Sequence, residues 1–180
     1  DPLEPGFTSL SVGGDGLAIR ATGGSDRVIV ALRTDDSTGK PGVAWLAPSQ
    51  LAQDVRWSRA PLPCEPRDVR VAAIVPSGAP GGVPEESLML AYDCAAFSGI
   101  AAFPIASLAE TADPRTGERR WPLPATPRAF SVRADGAVAW ATLAVATGDE
   151  VARIDLSKDP SDASAVRTAP LQSPAPVASQ

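Results

Sequence analysis

The sequence predicts an all-β protein of about three units, each of four short antiparallel strands. Three observations lead there. The chain carries 19 Pro and 15 Gly in 180 residues, punctuation that suits many short strands joined by turns and does not suit a helical bundle. Its apolar content, 44%, is enough for a folded core at this length. A Pro-rich connector also recurs: Pro61-Leu62-Pro63-Cys64-Glu65-Pro66-Arg67 aligns without a gap on Pro122-Leu123-Pro124-Ala125-Thr126-Pro127-Arg128. Weaker copies stand at Pro2-Leu3-Glu4-Pro5 and Pro170-Leu171-Gln172-Ser173-Pro174. Self-similarity of this kind marks a repeat architecture.

The connectors divide the chain into units at 1–60, 61–121 and 122–169, with 170–180 as a Pro-rich tail or the start of a further unit. In the first unit, Arg27–Arg33, Val43–Leu46 and Asp54–Ser58 read as strands, and the opening strand is either Phe7–Val12 or Leu17–Ala21. The second offers Asp68–Val75, Ser87–Tyr92, Ile100–Ile105 and a short edge at Arg119–Trp121. Its first two strands are separated by a Gly/Pro-rich insertion, 76–84, that reads as a projecting loop. The third offers Ala129–Arg133, Ala137–Leu143, Glu150–Leu156 and Ala165–Thr168, with Asp135-Gly136 as a two-residue hairpin turn. Val28 to Leu32 and Leu88 to Ala91 are apolar on both faces, as strands sandwiched between other sheets are.

Four short strands per unit fit a β-propeller blade. The run Ala125 to Gly136, with Ala137-Val138-Ala139-Trp140-Ala141 and Val151-Ala152-Arg153-Ile154-Asp155-Leu156, resembles the YVTN/lactonase-type repeat of bacterial secreted propellers, best over 122–168. That pattern has a Pro, a strand, an Asp-Gly turn, a second strand, and a strand ending in Ile-Asp. The resemblance implies propeller blades and a secreted, bacterial setting. It implies no particular activity, because propellers host many. Three blades rarely close a ring alone, so the expectation is a section of a larger ring. Another copy, another chain or a missing remainder of the same gene product would complete it at an otherwise open edge.

Composition excludes several chemistries. The chain has no His, so it cannot supply a Ser-His-Asp or Cys-His pair or a His-ligated metal. Ser98 lacks a nucleophile-elbow context. Glu85 and Glu86 read as solvated charges, and Asp35-Asp36-Ser37-Thr38-Gly39 as a solvated hairpin loop. No catalytic residue, metal site or cofactor is expected. A formal charge of −5 argues against a nucleic-acid partner, and no apolar run is long enough to span a bilayer.

Cys64 precedes the first strand of the second unit and Cys94 follows its second strand, which places both sulfurs at one end of an antiparallel pair. A disulfide is expected, and with it an extracellular, periplasmic or outer-envelope location. Trp45 and Trp140 lie inside apolar strands and read as core. Trp57 and Trp121 lie beside Arg59, Arg119 and Arg120 at the last strand of their units and read as more exposed, with Arg–Trp stacking. These five residues, Trp57, Arg59, Arg119, Arg120 and Trp121, are the candidate binding edge. The function expected is non-catalytic binding or scaffolding within a propeller protein, toward a ligand the sequence does not name. The alternatives are a propeller hydrolase or lactonase completed by residues outside this chain, and a carbohydrate-binding module.

Overall fold

The computed structural model describes residues 11–23, 27–46, 57–75, 82–108, 117–146 and 148–171. Their strands form three separate four-stranded sheets, each an antiparallel meander of consecutive strands. The first sheet holds β1 (Gly14–Ala21), β2 (Val28–Asp35), β3 (Lys40–Leu46) and β4 (Ser58–Pro61). The middle sheet holds β5 (Pro66–Ile74), β6 (Glu85–Cys94), β7 (Phe97–Pro104) and β8 (Arg119–Pro122). The last sheet holds β9 (Thr126–Val132), β10 (Val138–Val145), β11 (Gly148–Asp155) and β12 (Val166–Pro170). A short 3-10 turn, Ile105–Ser107, follows β7. Among the described residues no helix is long and apolar enough to cross a membrane.

The strands fall where β-branched and apolar runs meet Gly, Pro and Asp, as the sequence predicts. Pro66, Pro104, Pro122 and Pro170 stand at strand ends, where a missing N–H costs no interior ladder bond. Of the two candidate opening strands, Leu17–Ala21 forms most of β1. Residues 7–10, 54–56, 76–81 and 172–180 lie outside the described residues, and so do much of Phe7–Val12, the start of Asp54–Ser58, most of the insertion and nearly all of the tail.

The Asp135-Gly136 turn differs from expectation. Arg133 N donates to Val138 O at 2.8 Å and Gly136 N to Arg133 O at 2.9 Å, so the loop is four residues, 134–137, not two. The Asp135 carboxylate accepts from Ala137 N at 3.1 Å and spans the extra length. Gly136 takes the left-handed conformation (φ 69°) that motivated the expectation. A Cβ there would lie 1.9 Å from Ala73 O, because this turn packs against the end of β5.

Period-two alternation sorts the middle sheet into two faces. Leu88, Leu90, Tyr92, Ala101 and Phe103 join Ile29, Ala31, Val43 and Trp45 of the first sheet in one core. Met89, Ala91, Ile100, Ala102 and Trp121 join Phe130, Ala139, Ala141, Leu143, Ala152 and Ile154 of the last sheet in another. The run Leu88 to Ala91 is apolar throughout because both its faces are covered. The first strands also meet: β5 packs on β1 and on β9.

Polar bonds tie the sheets together along these contacts. Arg20 Nε donates to Val69 O at 3.1 Å, and Gly23 N to Glu86 Oε1 at 2.6 Å. Arg27 donates to Ile105 O and Leu108 O beside the 3-10 turn. Between the middle and last sheets, Phe130 N donates to Asp68 Oδ2 and Thr126 Oγ1 to Asp93 Oδ2, each at 3.1 Å. Cys64 and Cys94 form the expected disulfide, their Cα atoms 5.9 Å apart. It links the connector to the end of β6, at the edge of the core shared with the first sheet.

Candidate functional site

The residues singled out in the sequence do not assemble into one site. Trp57 is half-buried and packs with Val12 over Val30, Leu32 and Ala44, on the face of the first sheet that points away from the middle sheet. Arg59 is held there by Asp35, Nη1 to Oδ1 at 2.9 Å. Its guanidinium also donates to Gly13 O and Val12 O. Asp35 is itself buried, not solvated as the loop reading had it. Burial pushes its carboxyl pKa up, but the bonds from Ser37 and Arg59 outweigh burial and hold it below the ordinary carboxylate value. Arg59 and Asp35 therefore form a clamp that fastens residues 12 and 13 across the sheet.

The other half of the expected edge is corrected more sharply. Trp121 is fully buried between the middle and last sheets and offers no surface to a ligand. Alternation explains it: Arg120, next to Trp121, points to the opposite face, whereas Trp121 pairs with Ile100 and Arg119 with Ala102, on the face that points into the core. Arg119 does stack on the indole, 5.4 Å from its centroid, and donates to Val75 O at 3.1 Å. Burial lowers its pKa from the ordinary guanidinium value. Arg120 forms a two-point pair with Glu118, at 2.7 and 2.8 Å. It lies over the Phe97 ring, 5.6 Å from its centroid.

A different surface stands out, on the outward face of the last sheet. Ser131 aligns with Arg70 in the two connectors. Arg70 pairs with Met89, and Ser131 pairs with Trp140. Met89 and Trp140 are therefore matched in register, yet Met89 is 0% exposed and Trp140 46%. Trp140, read from sequence as core, is instead a surface residue. Beside it, Ala129, Ser131, Thr142 and Val151 line an open depression of about 430 Å³. Small side chains at Ala129, Ser131 and Thr142 leave the space, and Trp140 stands on it.

Two further side chains share this situation. In each connector the Leu amide reaches back across the preceding sheet: Leu62 N to Pro41 O at 2.9 Å, Leu123 N to Ser98 O at 2.9 Å, Leu171 N to Asp149 O at 3.0 Å. Leu62 is buried between the first and middle sheets, and Leu123 between the middle and last. Leu171 is exposed. At the opposite end, Ile19 pairs with Val30 as Val69 pairs with Leu90 and Phe130 with Ala141. Val69 is 2% exposed and Ile19 64%. Among the described residues the exposed large hydrophobics are Ile19, Val83, Trp140 and Leu171. All but Val83 stand where a neighbouring sheet buries their counterparts. Sequence reasoning missed these three, although the Pro-Leu connector and the gap-free alignment carried the signal for Leu171 and Trp140.

The chain matches no protein-family model, no curated protein and no solved structure.

Proposed function

We propose that the chain is a non-catalytic binding and scaffolding section of a propeller-type protein, whose last sheet docks against a further β-sheet. One observation carries this reading. On the outward face of the last sheet, Trp140 holds the register place at which the middle sheet buries Met89 in the core, and Trp140 is exposed. Large exposed apolar side chains on a concave, otherwise small-residue surface mark interaction sites. Adjacent first strands and successive stacked meanders are also what neighbouring blades of a propeller have.

The disulfide supports an oxidising compartment, outside the cell or within its envelope. A chain without His offers no imidazole base for acyl transfer. The binding reading therefore stands ahead of the hydrolase reading, and burial of Trp121 removes half of the edge on which the carbohydrate reading was built.

The test is the native mass of the particle that contains this chain in the cells that make it, by size exclusion with light scattering, then the denatured mass of its components. The expected particle is heavier than the 18.5 kDa chain, and Trp140→Glu reduces it to that mass. A monodisperse 18.5 kDa species, unchanged by Trp140→Glu, overturns the reading.

A further inference from the structure

We infer that the sheet covering the last sheet is the first sheet of a second copy of this chain, joined head to tail, with Trp140 of one copy against Ile19 of the other. The inference rests on the reading of the last sheet as a docking surface and adds the identity of what docks.

The argument is one of continuation. Two internal contacts follow a single scheme. In the first, Ile29 of β2 and Val69 of β5 share a core; in the second, Met89 of β6 and Phe130 of β9 share a core. In each, a residue of the preceding sheet's second strand lies in one core with a residue of the following sheet's first strand. Trp140 of β10 holds the register place of Met89, and Ile19 of β1 holds the place of Val69 and Phe130. The next contact in the series is therefore Trp140 with Ile19, and both are exposed within one chain. Leu171 continues the same scheme after Leu62 and Leu123.

The open areas also match in position. On the first sheet, Val12 and Trp57 cover Val30, Leu32 and Ala44 of β2 and β3, and the β1 side carrying Ile19 is left open. On the last sheet, the depression runs over β9, β10 and the start of β11, again the side of the first strand. A contact confined to that side needs no rearrangement of the Arg59 clamp. Because the two surfaces differ, the contact is heterologous; where its rotation is a half-turn, used twice, it closes a pair without leaving either face exposed.

The experiment uses two variants of the 180-residue chain, Ile19→Cys and Trp140→Cys, one of them labelled with nitrogen-15. Cys64 and Cys94 are already joined, so each variant carries one free thiol. The variants are mixed and mildly oxidised, and cross-linked dimers are identified by intact mass, with Val83→Cys as an exposed control. The expected result is a mixed Ile19–Trp140 dimer several-fold above either homodimer and above any product with the control. Light scattering on the unmodified chain reads twice 18.5 kDa. Trp140–Trp140 homodimers in excess overturn the head-to-tail arrangement. Cross-linking no greater than the control overturns the Trp140–Ile19 contact. A single-chain mass for the unmodified protein at every concentration overturns the second copy, and the docking reading is then decided separately by the native particle.

Discussion

Met89 and Trp140 occupy matched positions on the second strands of the middle and last sheets, and their surroundings differ completely. The middle sheet is covered twice, and its second strand is accordingly apolar at every position from Leu88 to Tyr92. Among the described residues the last sheet is covered once. Its second strand buries Ala139, Ala141 and Leu143, and turns Trp140 and Thr142 outward. A Thr on the outer face is ordinary for a half-solvated sheet. A Trp there, with an open depression beside it and an exposed Leu171 at the adjoining connector, sets this face apart from an ordinary solvated one. Both sheets have one strand order and the same pairing of their first three strands; what separates them is the presence of a neighbour.

The comparison breaks most severely in the middle sheet. Trp121→Ala empties a site closed by both neighbouring sheets and is expected to cost about 3–5 kcal/mol. Trp121→Phe keeps most of the volume and removes an indole N–H that has no acceptor, so it costs clearly less; chemical denaturation checks both. Removing the disulfide by Cys64→Ser with Cys94→Ser releases the loop between the connector and β6. It lowers stability by about 3 kcal/mol in the chain-entropy model, measured the same way under non-reducing conditions. Gly136→Ala forces a left-handed residue and a Cβ against Ala73 O. A loss of about 1–3 kcal/mol is expected, seen as a lower thermal midpoint.

Acid tests the covered end of the first sheet. The Asp35 carboxyl is held below its ordinary value in the folded state. Its stabilisation is therefore present in full above the unfolded value, about 3.9, and is lost as pH falls through the lower folded value. Asp35→Asn is expected to be less stable at neutral pH and to lose less on acidification, in denaturation curves between about pH 2 and 7. The smallest effect belongs to the last sheet. Trp140→Ala is expected to change the stability of the isolated chain by no more than about 0.5 kcal/mol, while association with its partner sheet falls at least tenfold by light scattering.

Much of the fold was legible because it is local. Turn residues and short apolar runs placed the strands, and the unbroken apolar stretches of β2 and β6 announced strands buried on both faces. The disulfide was legible because antiparallel neighbours bring Cys64 and Cys94 to one end. The two Trp assignments failed for one reason. Arg120 suggested an exposed Trp121, and Ala139 and Ala141 suggested a buried Trp140; but in a strand the residues on either side point to the opposite face, and Arg119, on Trp121's own face, stacks on the indole without uncovering it. Flanking character therefore predicts the reverse of what it suggests, and the remaining question, whether a second sheet lies on the far face, is not written in the strand at all. Asp35 escaped for a related reason, since its partner Arg59 arrives from β4 and does not adjoin it in sequence.

Hydroxyl-radical footprinting of the unmodified protein across a dilution series, read residue by residue by mass spectrometry, tests the central claim most directly. The account predicts that oxidation of Trp140, Ile19 and Leu171 falls together as concentration rises, while Val83, more exposed and outside the contact, stays constant. Trp140 oxidised at the same rate at every concentration, or protected while Ile19 is not, would contradict the joining of last sheet to first.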